Sequence, residues 1–204
     1  MLSPRLLRLD ATGASITEGP LGLHDSFFAV DRLTEGGGIE PILRGGAQQL
    51  CQELDPLVVD GVRNFLFGQP GRGALDLASL NLQRGRDHGL PAYNEARRQL
   101  GLAPRATLAE VSGSPDVLAR LEAVFTDVEQ LDLWTGALCE DHAPGALVGE
   151  LLLALFRHQF ELLRDGDRFY YEREFSGAAL EALEAPRLAD VIRRNTAIGA
   201  ALGD

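Results

Sequence analysis

Along most of this chain apolar residues recur every three or four positions, and the runs are separated by Gly, Pro and Asp, the signature of helices joined by turns. The clearest element is "SPDVLARLEAVF", where Ser114 stands as an N-cap, Pro115 takes the first helical position, and Val117, Leu118, Leu121, Val124 and Phe125 follow at helical spacing. In "GALVGELLLALFRHQFELLRDGD", Leu147, Val148, Leu151, Leu152, Leu155, Phe156, Phe160 and Leu163 form a broad apolar face. This predicts a long, largely buried helix that stops at "RDGD". "DPLVVDGVRNFLFG", "SGAALEALEAP" and "RLADVIRRNT" are shorter helix candidates, and "TEGGGIEPILRGG" reads as a glycine-punctuated connection flanking one or two helical turns. "RFYYERE" is the one candidate strand, and the first twenty residues are expected to be irregular. No internal repeat or low-complexity tract is present, so the fold class is mainly α.

One segment breaks the amphipathic rule. In "LDLASLNLQRGRDHGLPAYNEARRQLGL", residues 75 to 102, an apolar opening runs directly into Arg84, Arg86, Asp87 and His88. A solvated helix would spread such charge along one face, so the continuous block points to a polar site set against the core. Asn81, between Leu80 and Leu82, reads as a buried amide that must find partners, since an unpaired one costs about 1–3 kcal/mol.

Composition narrows the function classes. The 204 residues are 45% hydrophobic and 24% charged, ordinary globular usage with room for one sizeable domain or part of a larger one. A net charge of -11 and no basic run argue against nucleic acid as a partner, because binding there depends on Lys and Arg displacing counterions. The longest apolar run, "ALVGELLLALF", is too short to span a membrane and carries Glu150. "MLSPRLLRLD" has no apolar h-region after its arginines, so the chain shows no signal peptide and its localisation is left open. Cys51 and Cys139 are far apart and outside any CxxC spacing, which favours two small buried apolar residues over a disulfide.

The search for chemistry is mostly negative. There is no GxSxG, Walker lysine loop, GxGxxG or HExxH. The triple glycine at 36 to 38 reads as a hinge or turn, and Asp165 and Asp167 around Gly166 read as a helix end rather than a calcium loop. His24, His88, His142 and His158 lack a His or Cys partner at i+3 or i+4, so no protein-only metal site is expected, and His158 reads as a partly buried histidine with a hydrogen-bond partner.

The charged segment nevertheless resembles the signature of the animal-type heme peroxidases, in the peroxidase–cyclooxygenase superfamily of myeloperoxidase and lactoperoxidase, with Asn-x-Gln-Arg-x-Arg-Asp-His-Gly as its specific core. "FFAVDRLTEGGGIEPILRG", "LDLWTGAL", "FELLRDGDRFYYE" and "RLADVIRRNTAIG" are similar to further blocks of that family, in the same order. The resemblance implies that residues 1–204 are the C-terminal portion of a single heme peroxidase domain, mainly α. It also implies a function: oxidation of small electron donors or halides by hydrogen peroxide, with heme as cofactor. In that frame Asn81 accepts a hydrogen bond from the proximal histidine, Arg84 pairs with a heme propionate, and Leu77 and Leu80 line the proximal wall. Arg86, Asp87 and His88 would hold the helix end and the loop after it. The family's axial histidine lies a few residues before the part that "LLRLD" resembles. The distal histidine and arginine and the calcium site belong to still earlier parts, so none of these is assigned here, and the missing N-terminal half of the domain is an implied partner. The alternative is a truncated or degenerate helical fragment acting, if at all, as an interaction module. A fatty-acid oxygenase of the same superfamily finds no support, since Tyr93, Tyr170 and Tyr171 are accounted for by packing.

Overall fold

The computed structural model describes residues 3–63 and 76–199, and these fall into two compact units. The first comprises residues 1–52, 59–61 and 167–204, and the second residues 53–58 and 62–166. In the first unit, β1 (Arg5–Leu6) pairs antiparallel with β2 (Leu21–Gly22), with Arg5 opposite Gly22 and Leu6 opposite Leu21. The opening stretch is otherwise irregular apart from a bridge between Leu9 and Ser15, yet it contributes buried Arg8 and Leu9. A short turn, α1 (Leu23–Ser26), follows β2, and α2 (Ile39–Gln48) is longer than the one or two turns expected of a glycine-punctuated connection. Gly45 explains the difference. A Cβ there would lie 1.9 Å from the Leu7 carbonyl oxygen, so this glycine lets α2 lie backbone to backbone on the first segment. Gln49 completes the junction, accepting from the Leu7 N–H at 3.1 Å and donating to the Arg5 carbonyl at 2.8 Å.

Of the helix expected over 55–68, residues 55–59 are not helical, α3 (Asp60–Arg63) forms one turn, and residues 64–68 lie outside the described residues. The second unit holds α4 (Leu77–Asp87), α5 (Tyr93–Gln99), α6 (Pro115–Glu122), α7 (Leu133–Cys139) and α8 (Glu150–Gly166). Ser114 is the α6 N-cap with Pro115 behind it, as the pattern predicts, although its side chain makes no capping bond. The core of this unit is built from Tyr93, Ala96, Leu108, Val111, Leu121, Val128, Leu131, Ala137, Cys139 and Leu151. The first unit resumes with α9 (Tyr171–Glu174), α10 (Ala178–Glu184) and α11 (Leu188–Asn195).

Three expectations change. "RFYYERE" is not a strand: Tyr171–Glu174 is a helical turn, entered through a turn in which the Phe169 N–H bonds Asp167 at 2.9 Å. α8 forms and ends where expected, but it is not largely buried. Only Leu151 is fully enclosed, while Leu153, Phe156, Phe160 and Leu163 are exposed. Helical spacing fixes which side chains share a face, and says nothing of whether a further layer covers it. Finally, Cys51 is exposed, Cys139 alone is buried, and both thiols are free. Burial pushes the Cys139 thiol up to about 11, so it behaves as an apolar side chain.

α5 and α7 meet closely at Gly136, where a Cβ would lie 2.3 Å from Tyr93 Cδ2 in a fully buried ring. Gly136→Ala is therefore expected to overpack the core and lower stability by roughly 1–3 kcal/mol, read as a lowered midpoint in thermal unfolding. An unchanged midpoint would mean that the ring can move aside.

Candidate functional site

The crowded charge in "LNLQRGRDHGL" is the C-terminal turn of α4. Asp76 starts the helix, its carboxylate accepting from the Ala78 and Ser79 N–H groups at 2.9 and 3.3 Å. The helix ends on Gly89 with φ of 67°, and the Leu90 N–H returns to the Gly85 carbonyl at 2.9 Å. That six-to-one closure requires a left-handed residue, which glycine supplies without strain. Arg84 and Arg86 thus sit in the last turn, where cations oppose the negative end of the helix dipole.

Leu77, Leu80, Asn81 and Arg84 are spaced i, i+3, i+4 and i+7, which places them on one face of α4. Asn81 and Arg84 open into a cleft of about 620 Å³ shared with Gly85, Arg86, His88, Leu90, Leu131, Asp132 and Trp134. Leu77 and Leu80 are half-buried and lie nearer the helix N-terminus, outside this cleft. Asn81 is exposed, which corrects its reading as a buried amide. Its apolar neighbours Leu80 and Leu82 flank it in sequence, but adjacent residues point to different sides of a helix. Neither Asn81 nor Arg84 has a side-chain hydrogen bond or ion pair with a described residue.

Arg86 differs from Arg84. It meets Asp132 in two parallel bonds, Nε to Oδ1 at 2.9 Å and an Nη to Oδ2 at 2.8 Å, the bidentate geometry to which guanidinium is suited. Hydrogen bonding to Asp132, and then its charge, raise the Arg86 guanidinium further above its ordinary value. Asp132 is the N-cap position of α7, but its side chain makes no capping bond, since the carboxylate is engaged by Arg86. Asp87 accepts from Gln83 at 2.7 Å, and His88 is the exposed C-cap residue. His158 is exposed as well, against the expectation of a partly buried histidine, because it lies on the open side of α8. His142 bonds the Leu54 carbonyl at 2.8 Å, and His24 pairs with Asp25 at 2.7 Å.

The buried polar cluster lies one element further on, and the sequence reading missed it. Arg97, only 1% exposed, bonds Glu140, Glu150 and, at 2.7 Å, the Ala103 carbonyl. Glu140 also accepts from the Tyr93 hydroxyl at 2.6 Å and from the Leu151 N–H at 2.7 Å. Asn94 accepts from the Arg105 N–H at 2.8 Å and donates to the Arg105 carbonyl and Glu129. Burial first, then the Glu140 bond, push the Tyr93 phenol well up, so it stays a donor. The Arg97 bond holds Glu150 below the ordinary carboxylate range. A signal was present: Tyr93, Ala96 and Leu100 mark the apolar face of α5, and Arg97 falls on it four residues after Tyr93. A cation on a buried face requires carboxylate partners. This cluster holds α5, α7 and α8 together.

The mainly helical fold and the signature segment define a class of protein: the chain belongs to the family described as "Animal haem peroxidase", matched over residues 1–202. It is 41% identical over 177 residues to Peroxinectin A of Dictyostelium discoideum, covering 87% of this chain and 33% of that protein. It is 40% identical over 206 residues to human eosinophil peroxidase, covering 97% of this chain and 29% of the relative. The solved structure of Peroxidase A from Dictyostelium discoideum superposes with a TM-score of 0.86 at 37% identity, covering 97% of this chain and 38% of that one. The chain therefore spans about a third of the length of the curated relatives it matches. The family is one of oxidoreductases whose cofactor is heme and whose oxidant is hydrogen peroxide.

The cleft residues suit such a group at its acidic edge. Arg84 presents a guanidinium with no carboxylate counterpart among the described residues, and Trp134, Leu90 and Leu131 supply apolar surface beside it. Among the described residues no group of three or more His, Cys, Asp or Glu is placed to hold a metal ion. No helix among the described residues is long and apolar enough to cross a membrane.

Proposed function

We propose that this chain supplies the proximal wall of the heme site in a hydrogen peroxide-dependent oxidoreductase acting on small electron donors or halides. One observation carries the reading: α4 presents Asn81 and Arg84 to a single cleft with their polar groups uncommitted. When bound, heme supplies the redox chemistry. The residues of this chain hold and tune it. Arg84 pairs with a propionate, a charge-assisted contact that fixes the orientation of the macrocycle. Asn81 would accept a hydrogen bond from the outer nitrogen of a histidine that ligates the heme iron, fixing its tautomer and raising its basicity. Leu77 and Leu80, on the same face of α4, continue the proximal wall beyond the cleft. None of His24, His88, His142 and His158 is given the axial role. The exposed Leu153, Phe156, Phe160 and Leu163 of α8 share one helix face suited to packing against the remainder of a peroxidase domain, which fits the one-third coverage of the relatives.

The test is hemin titration of the protein followed at the Soret band, with Arg84→Ala alongside. Loss of one charge-assisted contact is expected to weaken binding by about tenfold. Equal affinity, or no binding by either protein, would overturn the reading and leave a non-catalytic helical fragment.

A further inference from the structure

The two helices that flank the cleft are held very differently. α4 has no fully buried residue, so packing alone does little to fix where its Asn81 and Arg84 face points. α7 buries Gly136, Ala137 and Cys139, and its N-terminus is tied to the core. Asp132 bridges to Ala92, and the Tyr93 N–H bonds the Leu131 carbonyl at 2.9 Å, with Tyr93 and Leu131 both fully enclosed. Arg86 joins the lightly held helix to the fixed one, its guanidinium meeting both Asp132 oxygens at 2.9 and 2.8 Å. Two residues on from Arg84, Arg86 leaves α4 on another side, so this contact does not draw on the Arg84 guanidinium.

We propose that Arg86 and Asp132 are positioning residues: the pair clips α4 to α7 and so fixes the cleft wall that carries Asn81 and Arg84. For the cofactor, the inference rests on the heme-site role of that wall. Magnitudes favour a local effect. The Arg86 side chain is 62% exposed and that of Asp132 19%, and a pair so open to solvent contributes too little to decide whether the unit folds. Its two-point geometry is directional, however, and a directional contact of that size suffices to choose the pose of a helix with no fully buried residue. Trp134, the one tryptophan of the chain, lines the same cleft from α7 and is half-buried. Its fluorescence therefore reports the state of the cleft without any cofactor.

The test compares Arg86→Ala, Asp132→Ala and the double variant R86A/D132A with the unsubstituted protein, by acrylamide quenching of Trp134, hemin titration at the Soret band and thermal unfolding. All three variants are expected to raise the quenching of Trp134 to the same extent, because either single substitution already opens the clip. The double variant removes the clip without changing the net charge of the cleft, and it is expected to bind hemin about fivefold more weakly. The thermal midpoint should fall by no more than about 4 °C. Unaltered quenching in Arg86→Ala would overturn the proposal. So would full hemin affinity in the double variant, which would mean that charge and not position matters, or a larger fall in midpoint, which would make the pair a support of the whole unit. Arg84→Ala keeps the two readings apart, since it should weaken hemin binding and leave the quenching of Trp134 unchanged. Should the unsubstituted protein bind no hemin, the heme site is rejected and the quenching of Trp134 still decides on the clip.

Discussion

Glu140→Ala is expected to lower stability by about 3–5 kcal/mol, the cost of leaving a buried cation without its carboxylate. The side chain sits at the centre of the second unit. One of its oxygens accepts from Tyr93 and Arg97, and the other accepts from the Leu151 N–H. Its loss leaves two buried donors unpaired, the phenol and the main-chain amide, and Arg97 with Glu150 as its remaining acidic partner. Glu150 is half in solvent and cannot replace a fully enclosed partner. At about 2–4 °C per kcal/mol for a chain of this size, the thermal midpoint should fall by about 10 °C. Glu140→Gln, which keeps acceptor and volume, should lose less. A midpoint within about 2 °C of the unsubstituted protein would show that Arg97 is not held as described.

The second large effect concerns chemistry rather than stability. In a full-length, heme-loaded form that includes the axial histidine, Asn81→Ala is expected to lower the peroxidase rate by about 10–100-fold, the usual consequence of removing an outer partner of a metal-bound histidine. Heme content should be nearly unchanged, since Asn81 acts through the histidine and does not touch the macrocycle's acid groups in this account. Because Asn81 is exposed in this chain and bonds no described residue, its removal should not unfold α4, whose ends are fixed by Asp76 and Gly89. Rate and heme content are measured on the same sample. Loss of both together would make Asn81 a binding residue, and loss of neither would remove it from the site.

Much of this could be read from the sequence, for identifiable physical reasons. Helix positions followed from spacing and caps: Ser114–Pro115 began α6, and the aspartates around Gly166 ended α8. Pairing of Asn81 with Arg84 on one face required only helical geometry. Depth was not legible. The apolar stripe of α8 looked like core, and Asn81 looked enclosed, because periodicity reports direction and not the presence of a covering layer. Close approaches were also missed. Gly45 read as part of a glycine-punctuated connection and Gly136 carried no signal, because their meaning depends on Leu7 and Tyr93, which are remote in the chain. The Arg97 cluster joins residues up to 53 positions apart, a pairing that no local pattern specifies.

The central claim is that Arg84 meets an acid group of heme in the α4 cleft, and it is tested most directly by a cycle that removes each partner in turn. Hemin and hemin dimethyl ester, which lacks the propionate charges, are titrated into the unsubstituted protein and into Arg84→Ala. If the two groups pair, esterification should weaken binding to the unsubstituted protein by about tenfold and have little effect on Arg84→Ala, a coupling of about 1.4 kcal/mol. If esterification changes affinity equally in both proteins, Arg84 does not contact the propionates and the proximal-wall account is contradicted.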